Sequence, residues 1–261
     1  MKEREKIKGG IRVNIAVCIK QVPDTETKIK IANDNKSINE DGIKWIVNPY
    51  DEFAIEEALK IVEKFGGEVT IISVGPSTIE KSIREALAMG AHHAIRIETP
   101  QIPFDPVVTS SALASVLKEG NFDLIFLGQR AIDADHSQVT SMLSQILDLP
   151  CVPLIVKLEI NGNKATALRE IEGGDEKISF NLPAIVSAQR GLNQPRYRSL
   201  KGIMQAKKKE IQIKQASLPE EKIIVRKLAY PPEKEAGRII GQGVEAVPEL
   251  VSILRDEAKV L

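Results

Sequence analysis

The clearest signal along the chain is a set of short, mostly apolar segments, unbroken at Leu124 to Leu127, separated by amphipathic stretches. Residues 13–19, 69–74, 94–97 and 124–127 lack the alternation of a half-exposed strand. They read as strands buried on both faces of a parallel sheet. Helical periodicity lies between them. From Asp51 to Phe65 the apolar positions Phe53, Ile55, Ala58, Leu59, Ile61 and Val62 keep helical spacing, and Gly66-Gly67 stops the pattern. Gly75-Pro76-Ser77 opens a second helix that ends at Gly90, since proline loses nothing in a first turn whose N–H has no intrahelical partner. A third helix is expected over residues 105–119. Strand and helix alternating at short spacing predict an α/β fold, a doubly wound, mostly parallel sheet with helices on both faces.

After Pro150 the texture changes. Residues 156–160, 164–171 and 176–180 alternate, separated by Asn161-Gly162-Asn163 and Gly173-Gly174-Asp175, which predicts a small antiparallel hairpin region. Residues 25–39 alternate as well and suggest a hairpin or a meandering loop. A further apolar strand is expected over 182–188, then a polar loop from Arg190 to Leu200 and a short basic helix over 203–209. From Ser217 onward, Pro219, Pro231-Pro232 and Gly241-Gln242-Gly243 mark an extended arm, closed by an amphipathic helix over 246–260 with Val247, Leu250, Val251 and Leu254 on one face. The predicted organisation is an α/β domain over 1–216, including a surface loop at 190–202, and an arm over 217–261. With so little core of its own, the arm must bury its apolar face on the body or on a partner chain. Residues 1–10, charged and ending in Gly9-Gly10, read as a frayed start.

Composition narrows the picture. Hydrophobic residues make up 43% and charged residues 28%, a globular composition. Lys plus Arg and Asp plus Glu are both 36, so no net field favours nucleic acid or a membrane surface. No apolar run reaches transmembrane length, and Met1-Lys2-Glu3-Arg4-Glu5-Lys6 has no apolar h-region behind it. The two cysteines, Cys18 and Cys151, lie far apart and read as reduced, buried thiols of a cytoplasmic protein. Cys18 ends a buried strand, which points to packing rather than redox chemistry.

The chemistry concentrates in residues 122–140. Gly128 ends an apolar strand, a polar loop follows, and Ser137 or Asp135 is placed to cap a helix that starts near Gln138 and carries Met142, Leu143 and Ile146. A loop between a strand's carboxyl end and a helix's amino end suits a phosphate, because free N–H groups and the helix dipole both favour an anion there. An ordinary turn with solvated carboxylates is the competing reading, and no glycine-rich fingerprint is present. Asp133 and Asp135 have no nucleophile or metal constellation beside them. His92-His93 and His136 lack ligand spacing with any cysteine. His136 lies in the candidate loop but reads first as a surface residue.

In order along the chain, Ala16-Val17-Cys18-Ile19-Lys20-Gln21-Val22-Pro23-Asp24, Asn48-Pro49-Tyr50-Asp51-Glu52, Ser73-Val74-Gly75-Pro76, Ala86-Leu87-Ala88-Met89-Gly90-Ala91 and the 128–138 loop form one pattern. Arg169-Glu170-Ile171-Glu172-Gly173-Gly174, Leu182-Pro183-Ala184, Leu192-Asn193-Gln194-Pro195-Arg196-Tyr197 and Ala206-Lys207-Lys208-Lys209 continue it. Over essentially its whole length the chain resembles the β subunit of electron transfer flavoprotein (ETF). The resemblance implies a heterodimer with an ETF α subunit that carries FAD, and an adenine nucleotide held by this chain. Carried over by position, the cofactor site is lined by Cys18, Asn48, Pro49, Tyr50, Asp51, Val74, Gly128, Arg130, Ala131, Asp133, Ala134, Asp135, Ser137, Gln138, Val139 and Thr140. Asn48 is expected to hydrogen-bond adenine or ribose, and the N–H groups of 137–139 to hold phosphate. Arg130 reads equally as a partner for a pyrophosphate or a flavin edge and as a plain surface ion pair.

The family divides at this site. In simple ETFs the β nucleotide is AMP and a threonine follows the loop glutamine; in electron-bifurcating ETFs the site holds a second FAD. Here Val139 follows Gln138, as in the bifurcating kind, and the Gly241-Gln242-Gly243-Val244 arm is similar to that group. Arg130 departs from both patterns, which usually read Arg-Gln or Lys-Gln there. The expectation is therefore FAD, with AMP as the alternative. The complex would take electrons from NADH and send them to a high-potential acceptor and to ferredoxin or flavodoxin, as part of an NADH-dependent flavin oxidoreductase complex. The alternatives are a simple shuttle between an acyl-CoA dehydrogenase and an ETF-quinone oxidoreductase-like partner, and a non-redox nucleotide-binding module. Leu200 matches the exposed leucine by which the family anchors to dehydrogenase partners, an apolar tip with Arg196, Arg198 and Lys201 as a charged rim, and Tyr197 joins Leu200 and Arg196 as an expected partner-binding residue.

Overall fold

The computed structural model describes residues 12–233 and 236–261; the frayed start expected at 1–10 lies outside them. The apolar runs form the centre of a nine-stranded sheet: β1 (Val13–Cys18), β4 (Gly67–Gly75), β5 (His93–Glu98), β6 (Leu124–Gly128) and β10 (Ala184–Ala188). Alternate residues of β1 serve opposite layers, as the period of two requires. Val13, Ile15 and Val17 pack with α1 (Pro49–Phe65) and α2 (Glu80–Met89). Ala16 and Cys18 pack with α3 (Pro106–Leu117) and α4 (Val139–Leu147) on the other face. The predicted doubly wound α/β arrangement is what the structure shows.

Strands run in the order β5-β4-β1-β6-β10 through the parallel centre. Beyond β10 the sheet continues with β7 (Cys151–Asn161), parallel to it, and then β8 (Lys164–Ile171) and β9 (Gly174–Asn181), both antiparallel. The hairpins predicted from Asn-Gly and Gly-Gly are therefore the far wing of the main sheet, not a separate region. A separate two-stranded antiparallel sheet joins β2 (Gln21–Pro23) to β3 (Trp45–Val47). Within 25–39 the pairing reduces to one bridge, Ile31 to Ile38, around a turn in which the Asp34 carboxylate accepts from the Lys36 and Ser37 N–H groups.

Two elements differ from expectation. β11 (Gln212–Gln215) adds a parallel edge strand beside β5; Gln-Ile-Lys-Gln is too short and polar to announce itself. The final helix is not one regular element. A 3-10 turn (Val244–Ala246) leads into α6 (Val247–Ser252), and a π turn (Ile253–Glu257) follows. Val247 and Leu250 remain about half exposed, so little packing enforces a uniform helix there. The basic helix α5 (Leu200–Lys208) starts earlier than predicted because the Ser199 hydroxyl accepts from the Gly202 N–H at 3.0 Å. It docks on α2 at Gly202, where a Cβ would come within 2.4 Å of the Ala88 carbonyl oxygen. Among the described residues no helix is long and apolar enough to cross a membrane.

Candidate functional site

The chain lays down β1, β4 and β5 in one direction, then returns to place β6 on the other side of β1. The order reverses between β1 and β6, and in such sheets a crevice opens outside the carboxyl ends of the strands at that point. A cleft lies there. Its floor is Cys18, Ile19 and Lys20 after β1, Val74 in β4, and Leu127 through Ala131 after β6. Asn48 and Asp51 enter from the start of α1, and Ser137 through Thr140 from the start of α4.

Asp51 is the buried polar centre. Its Oδ2 accepts from the Lys20 N–H at 2.7 Å, and its Oδ1 from the Asn48 side chain at 2.9 Å and the Gly128 N–H at 3.1 Å. Burial pushes its carboxyl up to about 7, while those three donors pull the other way. The Cys18 thiol beside it is also raised, by burial first and by the Asp51 charge second. A thiol held protonated in this way is a packing group. Asn48 spends three of its four hydrogen-bonding valences inside the protein. Its side-chain amide donates to Asp51 and to the Arg130 carbonyl at 2.9 Å, and its Oδ1 accepts from the Ile132 N–H at 3.2 Å. These bonds clamp the loop after β6.

The loop after β6 also departs from expectation at α4. Asp135 and Ser137 hold positive φ, 57° and 53°, and neither caps the helix. Gln138 is the N-cap, without a side-chain cap hydrogen bond. The Asp135 carboxylate instead meets Arg130 Nη1 at 3.0 Å. The first N–H groups of α4 therefore have no side-chain acceptor, and they open where Ser137 to Thr140 line the cleft. Arg130 also lies over the Tyr50 ring at 5.5 Å, with Nη2 at 3.4 Å from the Tyr50 hydroxyl. Two buried polar atoms of the cleft lining, Gln129 Oε1 and Arg130 Nε, have no partner among the described residues.

Of the sequence-derived site, Cys18, Asn48, Asp51, Val74, Gly128, Arg130, Ala131, Ala134, Ser137, Gln138, Val139 and Thr140 line this cleft. Pro49, Tyr50, Asp133 and Asp135 stand behind it: Tyr50 and Asp135 hold Arg130, and Asp133 pairs with Lys20 at 2.7 Å. Sequence reasoning missed the opposite wall, Ile102, Pro103, Phe104 and Pro106 with Thr109 and Leu113 of α3. The signal was present, because any loop that follows a central parallel strand leaves from the same edge of the sheet. His136 faces the cleft too, with its ring edge-to-face against Phe104 at 4.9 Å.

The electron transfer flavoprotein domain matches residues 36–219. The chain belongs to the electron transfer flavoprotein family. It is 47% identical to the electron transfer flavoprotein subunit beta of Bacillus subtilis, covering 95% of this chain and 100% of that protein. It is 40% identical to the subunit beta of Syntrophomonas wolfei over 87% of this chain and 89% of that one. For the human subunit beta the identity is 36%, covering 95% and 99%. The resemblance read from the motifs holds, and the chain is a β subunit of the ETF type.

The segment matched to the ETF partner anchor divides into two kinds of residue. Tyr197 and Leu200 stand out, 97% and 83% exposed, with Leu200 the first residue of α5 rather than part of a loop. The arginines are committed inward. Arg196 donates from its backbone N–H and Nε to Glu56 Oε2 and from Nη2 to Glu56 Oε1, and it also reaches Glu63. Arg198 pairs with Glu85 at 2.8 Å. Lys201, the third charge beside the tip, is exposed.

Proposed function

We propose that this chain is the β subunit of an electron-bifurcating ETF. Paired with an ETF α subunit that carries its own FAD, it holds a second FAD by its adenine-nucleotide half in the cleft between β1 and β6. The complex takes electrons from NADH and divides them between a high-potential acceptor and ferredoxin or flavodoxin. The observation that carries nucleotide binding is the uncapped amino end of α4 at the cleft, beside the unpartnered Arg130 Nε and Gln129 Oε1.

The residues present fit such a group. The N–H groups at the start of α4 suit a phosphate, and Arg130, steered by Asp135 and Tyr50, adds a cation at the same place. Gln129 Oε1 is a buried acceptor suited to an N–H or O–H of the ligand. The wall of Pro103, Phe104 and His136 supplies apolar and aromatic surface beyond what an adenine monophosphate needs, and this favours FAD over AMP. Val139 points the same way, since it packs against the apolar layer and brings no hydroxyl to the helix start. When bound, the flavin supplies hydride acceptance and one-electron transfer; this chain binds it, orients it and shields it from water.

The test is flavin stoichiometry of the purified complex with its α subunit, by extraction, chromatography and visible spectrum. Two FAD per αβ pair, bleached by NADH, is the expected result. One FAD with one AMP would refute bifurcation and leave a simple shuttle.

A further inference from the structure

We propose that Asn48 and Asp51 are positioning residues of the cleft, stapling the end of β1 to the loop after β6 and so setting the nucleotide-facing loop. The inference rests on the nucleotide-binding reading of the cleft. Backbone pairing between β1 and β6 stops at Val17 and Phe126. Beyond that point the strands diverge, and the Asp51 carboxylate takes over the cross-link. One oxygen holds the Lys20 N–H past β1, and the other holds the Gly128 N–H at the end of β6. Asn48 extends the staple by two further bonds, to the Arg130 carbonyl and the Ile132 N–H. Both side chains are buried, at 1% and 5% exposure, and their bonding capacity is nearly spent inside the protein. Gly128 completes the interlock, because a Cβ there would lie 2.2 Å from Asp51 Oδ1.

The staple depends on an acceptor-only carboxylate. Protonation removes the charge that strengthens all three hydrogen bonds and gives one oxygen a proton of its own to place. Burial brings that protonation into the neutral range. The other titratable groups around Asp51 are Cys18 at the end of β1, Lys20 just past it, Tyr50 in its own helical turn, and Arg130, Asp133 and His136 in the loop. Arg130 is further tied to Asp135.

The experiment is equilibrium dialysis of the full chain with AMP between pH 6 and 8, for wild type and Asp51→Asn. Taking the ratio of the two dissociation constants at each pH cancels titration of the AMP phosphate and of His136. At pH 8 the variant should bind about tenfold more weakly, and the ratio should shrink as pH falls and the raised Asp51 carboxyl protonates. A ratio of one throughout overturns the staple and leaves the nucleotide site standing; a ratio above one at every pH supports the staple with Asp51 ionised across the range. Wild type that binds no AMP at any pH overturns the site and the staple together. If Asp51→Asn does not fold, hydrogen exchange on wild type decides. After correction for intrinsic exchange, the Lys20 and Gly128 amides should be protected at pH 8 like the paired amides of β1 and β6, and free exchange at either position overturns the proposal.

Discussion

Replacing Arg196 with alanine should cost roughly 2–3 kcal/mol of folding stability, nearly all of it through one carboxylate. The guanidinium spans two glutamates of α1 that lie about two turns apart. The Glu56 side chain is 7% exposed and receives Nε at 2.8 Å and Nη2 at 3.0 Å; the Glu63 side chain is 56% exposed. The exposed arm is screened by water and contributes at most about 1 kcal/mol. Glu56 is different. Removing one partner of a buried pair strands the other charge, at a cost of about 3–5 kcal/mol. Because the Arg196 side chain is itself 33% exposed, solvent takes over part of its role, which brings the expectation down to the lower figure.

The assay is urea denaturation followed by far-UV circular dichroism. Arg196→Lys should recover less than half of the loss, since a point charge cannot hold two carboxylates as a planar fork does. Adding Glu56→Gln to Arg196→Ala should restore about 1–2 kcal/mol, because the stranded charge is gone. The gap between wild type and Arg196→Ala should also narrow in acid, by no more than the Glu63 share of about 1 kcal/mol. Arg196 holds the Glu63 carboxyl below its usual 4.5, so that contribution is present above this value and is lost as pH falls through the lowered one. An alanine variant within about 0.5 kcal/mol of wild type, or no worse than Glu63→Gln, would refute the reasoning.

Gly128→Ala should destabilise by about 1–3 kcal/mol or more and abolish AMP binding, since its Cβ would meet Asp51 Oδ1 at 2.2 Å and the α1 backbone at 2.8 Å. Gly174→Ala, with nothing within 4 Å of its Cβ, should be near neutral in the same denaturation assay. Both thiols are raised by burial, so a thiol-labelling reagent at pH 8 should leave Cys18 unmodified and modify Cys151 slowly in the native chain. Both should react at once in denaturant.

Much of the fold was legible because the signals were strong and local. Four apolar runs too continuous for half-exposed strands, each followed by helical periodicity, leave few arrangements other than a doubly wound sheet. The hairpins were announced by Asn161-Gly162 and Gly173-Gly174, and their attachment to the main sheet was not, since partner strands carry no record of their neighbours. β11 escaped for a similar reason. Gln212 to Gln215 form a strand only because β5 presents a free edge, and three of the four are exposed. The arm's last helix was over-read from spacing alone, without the packing surface that makes spacing count.

At the cleft the limit is of another kind. Residue type and position show which polar groups reach an edge of the sheet; they do not show what those groups will bond. Asn48 has four hydrogen-bonding valences, and in sequence it suits a ribose as well as a backbone. Only the crossing of α1 over the end of β6 spends three of them on Asp51, Arg130 and Ile132. Arg196 is the same case, a plausible rim charge until Glu56 and Glu63 are found one above the other beneath it. In both places the side chain bonds within the protein, Asn48 to the loop after β6 and Arg196 to α1. What it leaves exposed is either backbone, as at 137–140, or an apolar tip, as at Tyr197 and Leu200. A motif match therefore locates this site more securely than it assigns the bonds within it.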